Sequence, residues 1–292
     1  MNIHPYFMML VGVPGSGKSY QAKKMEQTFP DTKIVSSDAI RGEIYGDENC
    51  QDNPARVFSI MRERTVQYLN EGYNVVYDAT NIQRVHRKEV LDVVPAWAMK
   101  YCYICWASIE KCIERDANRE RTVGKAVIDK MLNRFEAPFY DEGFDEIWIL
   151  GMEGHDPMSY RMKLLDDMRI PHDNPHHTLG IYEHSMAAYD YAKEHNYSDV
   201  LQIACKYHDC GKPYVKSFAD RKGNPCETAH YYNHQCVGAW MSYGLCEEYG
   251  DFIAWIISTH MAPFINQKYY NSLSLLHKHI IDKVHTADLE AH

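Results

Sequence analysis

Short apolar runs alternate with stretches of helical spacing through the first half of the chain. YFMMLV (6–11), KIV (33–35), the middle of GYNVVYDATN (72–81), AMKYCYICWA (98–107) and DEIWIL (145–150) have strand length and little polar interruption. Such runs fit strands covered on both faces. Their alternation with helical segments predicts an α/β domain with a mostly parallel sheet and flanking helices. Near GMEGHDPMSY (151–160), Gly and Pro break the pattern. SYRMKLLDDMRI (159–170) and everything past residue 181 then read as helix with little strand. Two domains are expected, an α/β domain over 1–152 and an all-α domain over 153–292, a division that 292 residues allow.

Composition sharpens this picture in three ways. No apolar run approaches the roughly 20 residues of a membrane helix, and MNIHPYF (1–7) has no secretory pattern. Nine scattered Cys, with Cys102 and Cys105 inside a strand and no second pair to complete a zinc site, suit reduced thiols in a cytoplasmic protein. The net charge of −9 argues against a broad basic surface, so nucleic-acid contact would be local, at a chain end or a few phosphates. Histidine is the residue that divides: two of 16 precede residue 151 and fourteen follow it, which metal binding explains better than surface chance.

GVPGSGKS (12–19) lies between the first strand and the helical YQAKKMEQTF (20–29). Strand, G-x-x-x-x-G-K-[ST] and helix together define a P-loop. Gly12, Gly15, Ser16 and Gly17 form the loop whose N–H groups meet phosphate oxygens. Lys18 reaches the β- and γ-phosphates of ATP, and Ser19 supplies a hydroxyl to Mg²⁺. The second strand ends at Ser36-Ser37-Asp38, at the mouth of an open sheet. Asp38 there either accepts a proton from an attacking hydroxyl or caps the following helix, and the two roles are compatible. Arg41, one turn on, can hold an acceptor phosphate. Asp78 ends the third strand and either binds Mg²⁺ through water or positions the acceptor. Arg115, Arg119, Arg121 and Lys125 fall in a segment placed to close over ATP, where a solvated helix face is the alternative.

Together, GVPGSGKS, SSDAIR, DATN and RDANRERTVGKAV make residues 6–150 resemble the kinase domain of phage-type 5′-hydroxyl polynucleotide kinases. The resemblance implies ATP and Mg²⁺ on Lys18 and Ser19 and Asp38 as general base on a 5′-OH. It also implies Arg41 on the acceptor's 3′-side phosphate, Asp78 near the acceptor, and Arg115 and Arg119 as lid arginines. Arg119 is the one expected at the transition state. Small-molecule kinases of the same P-loop group carry similar motifs.

In the second half, His184, His208-Asp209, His230, His234, His260 and Asp288 fall in helical segments or at helix ends. A helical bundle can aim such side chains at one point. Imidazole with carboxylate suits Mn, Co, Ni, Fe, Zn or Mg. The order H…HD…H…H…D, with HDCGK and HQCVGA, makes residues 155–292 resemble the HD phosphohydrolase superfamily. That resemblance implies one metal on His184, His208, Asp209 and Asp288. It implies a second on His234 and His260 with Asp209 bridging, Lys212 on the phosphoryl group, and His177 and His230 as substrate contacts. Asp282 competes with Asp288 as last ligand. His172, His195, His277, His279 and His285 are read as structural or surface residues.

A 5′-kinase and a phosphohydrolase on one chain both treat the ends of a broken RNA or DNA strand. The pair resembles bifunctional end-healing enzymes that remove a 3′-phosphate or a 2′,3′-cyclic phosphate, with sealing left to a separate ligase. A nucleoside or small-molecule kinase fused to a nucleotide phosphohydrolase is the alternative, and an ATP switch joined to a ligand sensor is a third reading.

Overall fold

A computed structural model gives the fold, and residues 5–175, 178–246 and 248–291 are described. Two compact units emerge, one from Met1–Ile128 and Pro138–Met152, the other from Asp129–Ala137 and Glu153–His292.

The first unit contains β1 (Tyr6–Val11), α1 (Lys18–Thr28), β2 (Thr32–Ser36), α2 (Ser37–Tyr45), α3 (Pro54–Asn70), β3 (Asn74–Asp78) and α4 (Arg84–Leu91). It continues with β4 (Met99–Cys105), α5 (Ile109–Ala117), α6 (Lys125–Leu132, whose last turn enters the second unit) and β5 (Glu146–Leu150). The five strands form one parallel sheet in the order β2-β3-β1-β4-β5. β1 is central, and Phe7 through Val11 are all buried because helices cover both faces. Met8 and Leu10 share one face and pack with Ala22 and Met25 of α1. All five strands expected from the apolar runs are present, and every one is parallel.

Tertiary anchors hold the sheet's upper edge. Arg87 and Glu142 are both fully buried and joined by two bonds of 2.7 Å. Arg87 also donates to the Asn81 carbonyl, and Asn81 Nδ2 donates to Leu10 O at 2.7 Å. The ends of β1 and β3 are thereby fixed where the P-loop begins.

The second unit has helices α7 (Pro157–Asp167), α8 (Ile181–Glu194), α9 (Asp199–Tyr207) and α10 (Lys212–Val215) before a hairpin, β6 (Ser217–Ala219) and β7 (Pro225–His230). α11 (His234–Ser242), α12 (Gly250–Thr259), α13 (Ala262–Ile265), α14 (Gln267–Ser272) and α15 (Leu275–Glu290) follow. The unit is mainly helical, and the hairpin departs from the all-α expectation. Its turn carries Asp220, whose side chain accepts from Lys222 N and Asn224 N, and Gly223 at φ +86°. Local turn chemistry of this kind folds a short segment back on itself without any long apolar run. Phe135 belongs to this core, edge-on to Trp240 and Tyr243. Among the described residues no helix is long and apolar enough to cross a membrane.

Candidate functional site

The loop between β1 and α1 carries the phosphate-cradle residues. A Cβ on Gly15 would lie 2.1 Å from the Cys112 carbonyl oxygen, so only glycine lets the loop press on α5. Gly17, at φ +100°, turns the chain into α1 and directs its first N–H groups toward the loop's interior. Lys18 Nζ donates to Val13 O at 3.0 Å. Burial lowers the pKa of this ammonium, with Asp78 opposing. Ser19 Oγ donates to Asp78 Oδ2 at 3.2 Å, joining the first turn of α1 to the end of β3. Burial raises the pKa of the Asp78 carboxyl, with Lys18 opposing. Two hard oxygen ligands beside a buried lysine fit Mg²⁺ with a nucleotide phosphate.

Asp38 lies in the first turn of α2, while Ser36 is the cap, accepting from Ala39 N. The Asp38 side chain is half-exposed, and each of its oxygens meets an arginine. Arg41 Nη1 is 3.0 Å from Oδ1, and Arg121 Nη1 is 2.9 Å from Oδ2. Arg41 is buried and its Nε has no hydrogen-bond partner. Arg115 Nη1 comes 3.7 Å from where a Gly17 Cβ would stand, so this arginine, expected at the lid, reaches the loop. Arg119 pairs with Asp116, a buried carboxylate that also accepts from Gly124 N at 2.8 Å and Val123 N at 3.1 Å. Asp116 thus shapes the turn that carries Arg119 and Arg121. The Arg121 contact was not singled out in the sequence, where 83 residues separate it from Asp38.

In the second unit, six candidates converge into two groups that share Asp209. One is His184, His208, Asp209 and Asp288, and the other is Asp209, His234 and His260, with the donor atoms of each group within 4.8 Å of one another. His208 and His260 cap the C-terminal ends of α9 and α12. There, carbonyls of the last turn lack helical partners. Nδ1 of His208 meets Cys205 O at 2.7 Å, and Nδ1 of His260 meets Ile257 O at 2.7 Å. His234 Nδ1 meets Tyr231 O, and His184 Nδ1 meets Ala291 O. All four Nδ1 atoms therefore carry hydrogen toward a carbonyl, which turns each Nε2 to the centre. Gly211 permits the approach: a Cβ there would sit 2.1 Å from the His234 carbonyl oxygen.

Distances at the centre are short. His184 Nε2 and His208 Nε2 lie 2.9 and 3.2 Å from Asp288 Oδ1. His234 Nε2 is 3.3 Å from Asp209 Oδ1 and 3.3 Å from His260 Nε2. Two ring nitrogens whose Nδ1 atoms both donate elsewhere face each other with lone pairs, an arrangement that a cation relieves. This donor set fits a divalent transition metal. Burial would lower the His208 pKa, but Asp209 and Asp288 outweigh it and raise it to about 10. Burial, with His234 and His208, pushes His260 down to about 3. Against the cost of burial, His208 and Lys212 hold Asp209 far below the usual carboxylate range.

Other expected residues divide. Asp282 accepts from Tyr270 at 2.5 Å, away from the group that Asp288 joins. Lys212 Nζ lies 2.6 Å from Asp209 Oδ2. His230 ends strand β7, not a helix, and stacks on Tyr232. His177 lies outside the described residues. His172, read as structural or surface, is buried with Nε2 3.1 Å from Lys212 Nζ. No periodicity marks it in the sequence, because it sits in the irregular segment before α8.

No curated relative matches the chain. Among solved structures, a chain in the structure of the Pnkp1/Rnl/Hen1 RNA repair complex shares 23% identity at TM-score 0.41, over 45% of this chain and 44% of that one. This chain thus spans under half of that protein's length. A fungal RNA kinase shares 13% identity at TM-score 0.37, over 56% and 85% of the two chains. A gluconokinase from Sinorhizobium meliloti 1021 shares 17% identity at TM-score 0.37, over 51% and 84% of the two chains. Residues 7–138 match the AAA domain family AAA_33, and this part of the chain is a P-loop kinase-like α/β domain.

Proposed function

We propose that the chain is a bifunctional end-healing enzyme, an ATP-dependent 5′-hydroxyl polynucleotide kinase joined to an HD-type metal-dependent phosphohydrolase. What supports it most is the pair of His/Asp groups sharing Asp209, on the same chain as a P-loop whose Ser19 meets Asp78.

In the first unit, Lys18 and the loop N–H groups bind the nucleotide phosphates. Ser19 and Asp78 would hold Mg²⁺, which when bound would supply charge neutralisation at the transferred phosphoryl group. Asp38 accepts the proton of the attacking 5′-OH once its arginines engage the acceptor. Arg41 holds the acceptor's 3′-side phosphate, and Arg115 and Arg119 meet the charge that develops on the phosphoryl oxygens. In the second unit, one metal would be held by His184, His208, Asp209 and Asp288, and another by Asp209, His234 and His260. The metals, when bound, supply an activated water and neutralise charge at phosphorus. Lys212 offers its ammonium to the phosphoryl oxygens of a 3′-phosphate or 2′,3′-cyclic phosphate.

Paired assays on one preparation test this reading. One follows label from ATP to 5′-OH oligonucleotides, RNA and DNA, against free nucleosides. The other follows phosphate release from 3′-phosphate and 2′,3′-cyclic ends against free nucleotides, with Mn²⁺, Co²⁺ or Ni²⁺ present. Asp38→Ala should remove only the first activity. Transfer to nucleosides and hydrolysis of free nucleotides, with no action on strand ends, would replace end healing by nucleotide metabolism.

A further inference from the structure

Lys212 is a buried cation with two anchors. Its Nζ lies 2.6 Å from Asp209 Oδ2 and 3.1 Å from His172 Nε2. His172 Nδ1 faces the Leu179 carbonyl at 2.8 Å, so the ring's hydrogen sits on Nδ1 and Nε2 accepts from the lysine. Tyr231 completes the surround: its hydroxyl donates to the His172 carbonyl, and its ring lies 5.5 Å from Lys212 Nζ. His172 is only 2% exposed. It belongs to neither group of potential metal ligands.

An ammonium has three donors and no acceptor. His172 takes one of them, and the ion pair with Asp209 Oδ2, itself without a hydrogen-bond partner, holds the ammonium from a second side. We propose that His172 is a positioning residue for Lys212, holding the ammonium beside Asp209 so that a free donor meets a phosphate oxygen of the substrate. This rests on the phosphohydrolase reading and extends it to a residue outside the metal groups. Without the histidine, Lys212 pivots about Asp209, and the incoming phosphate meets a loosely held cation. A misplacement of about 1 Å is enough to slow a reaction strongly, because the gain from a charged group depends on its preset position.

The test uses the full chain loaded with Mn²⁺, as wild type, His172→Ala, His172→Gln, His172→Leu, Lys212→Met and the His172→Ala/Lys212→Met double variant. Three quantities are read: Mn²⁺ affinity, affinity of the Mn²⁺-loaded protein for inorganic phosphate, and turnover on a 3′-phosphate oligonucleotide. His172→Ala is expected to leave Mn²⁺ affinity within about twofold while phosphate binding weakens and turnover falls about 10–100-fold. His172→Gln should recover most of the loss, since its amide oxygen accepts from Lys212, and His172→Leu, of similar size, should not. In the Lys212→Met background, His172→Ala should add under about twofold, because nothing is left to position.

An additive loss in the double variant would overturn the inference. So would Mn²⁺ binding lost in His172→Ala, or equal behaviour of the Gln and Leu variants, including failure of both to fold. If wild type releases no phosphate from strand ends, the substrate reading fails. The phosphate affinities of the same variants then still decide for or against His172.

Discussion

Replacing Asp209 by Asn perturbs the His/Asp centre at the one residue both groups share. The side chain keeps its shape and loses its charge, and one of its two oxygens becomes an NH₂ donor. In the native arrangement Asp209 lies 3.3 Å from His208 Nε2, 3.3 Å from His234 Nε2 and 2.6 Å from Lys212 Nζ. Under the proposed metal assignment, the carboxylate that both groups share is lost, so metal retention should fall from about two equivalents per chain to none. His260 belongs only to the second group, so His260→Ala should keep about one equivalent.

The same change has a cost in the metal-free protein. Lys212 and the protonated His208 are buried against Asp209. Removing one partner of a buried ion pair costs about 3–5 kcal/mol. Asp288 remains 3.2 Å from His208, so part of the charge stays compensated and the lower end, about 3 kcal/mol, is expected. An exposed pair such as Arg64–Glu43 sets the contrast, at about 0.2–1 kcal/mol. Elemental analysis after Mn²⁺ loading and desalting reads the first effect, and urea denaturation without metal reads the second. Asp209→Asn retaining two equivalents, or losing under about 1 kcal/mol, would refute the shared-carboxylate reasoning.

Arg121→Ala should raise KM for a 5′-OH oligonucleotide about tenfold and leave KM for ATP within about twofold, because Arg121 meets Asp38 and not the phosphate cradle. Equal shifts in steady-state kinetics would move Arg121 to the nucleotide side. Metal loading should release about one proton at pH 7.5, since the metal-free His208 keeps its proton up to about 10. Metal affinity then rises with pH, about tenfold per unit below that value, and calorimetry in buffers of different ionisation heat reads the proton. The raised His208 pKa also gives the metal-free fold a stabilising contribution that is full below pH about 6.5 and lost as pH rises through about 10. A flat pH profile of metal affinity would remove His208 from the ligand set. Glu142→Gln should cost about 3–5 kcal/mol in urea denaturation by removing the carboxylate that the buried Arg87 guanidinium meets with two bonds, and a loss under about 1 kcal/mol would show that the pair is replaceable.

The sequence reveals local features best. Apolar runs give strands most plainly at β1 and β3, where burial on both faces removes polar residues, while the edge strands β2 and β5 keep Lys33, Glu146 and Trp148 exposed and are still legible from their remaining apolar positions. Which of Asp282 and Asp288 stands with the histidines is visible only in space: six residues on α15 turn the helix by roughly 600°, so the two carboxylates leave it on different faces. Arg121 meets Asp38 across 83 residues, and His172 meets Lys212 across 40. Neither contact follows from a period, since each depends on where an irregular segment is folded back. The hairpin at Ser217–His230 was missed for a related reason, because turn chemistry and not an apolar run produces it.

The two centres use helix ends in opposite senses, and that explains why one is written compactly and the other is dispersed. An anion cradle is built from backbone N–H groups at the start of α1, so its residues must be contiguous and small. A cation centre needs side-chain lone pairs arriving from several directions. At the ends of α9 and α12, unpaired carbonyls take Nδ1–H of His208 and His260 and leave Nε2 pointing inward. One helix end supplies one such nitrogen, so several helices must contribute. The ligand candidates are therefore spread from His184 to Asp288, while the whole phosphate cradle fits between Gly12 and Ser19.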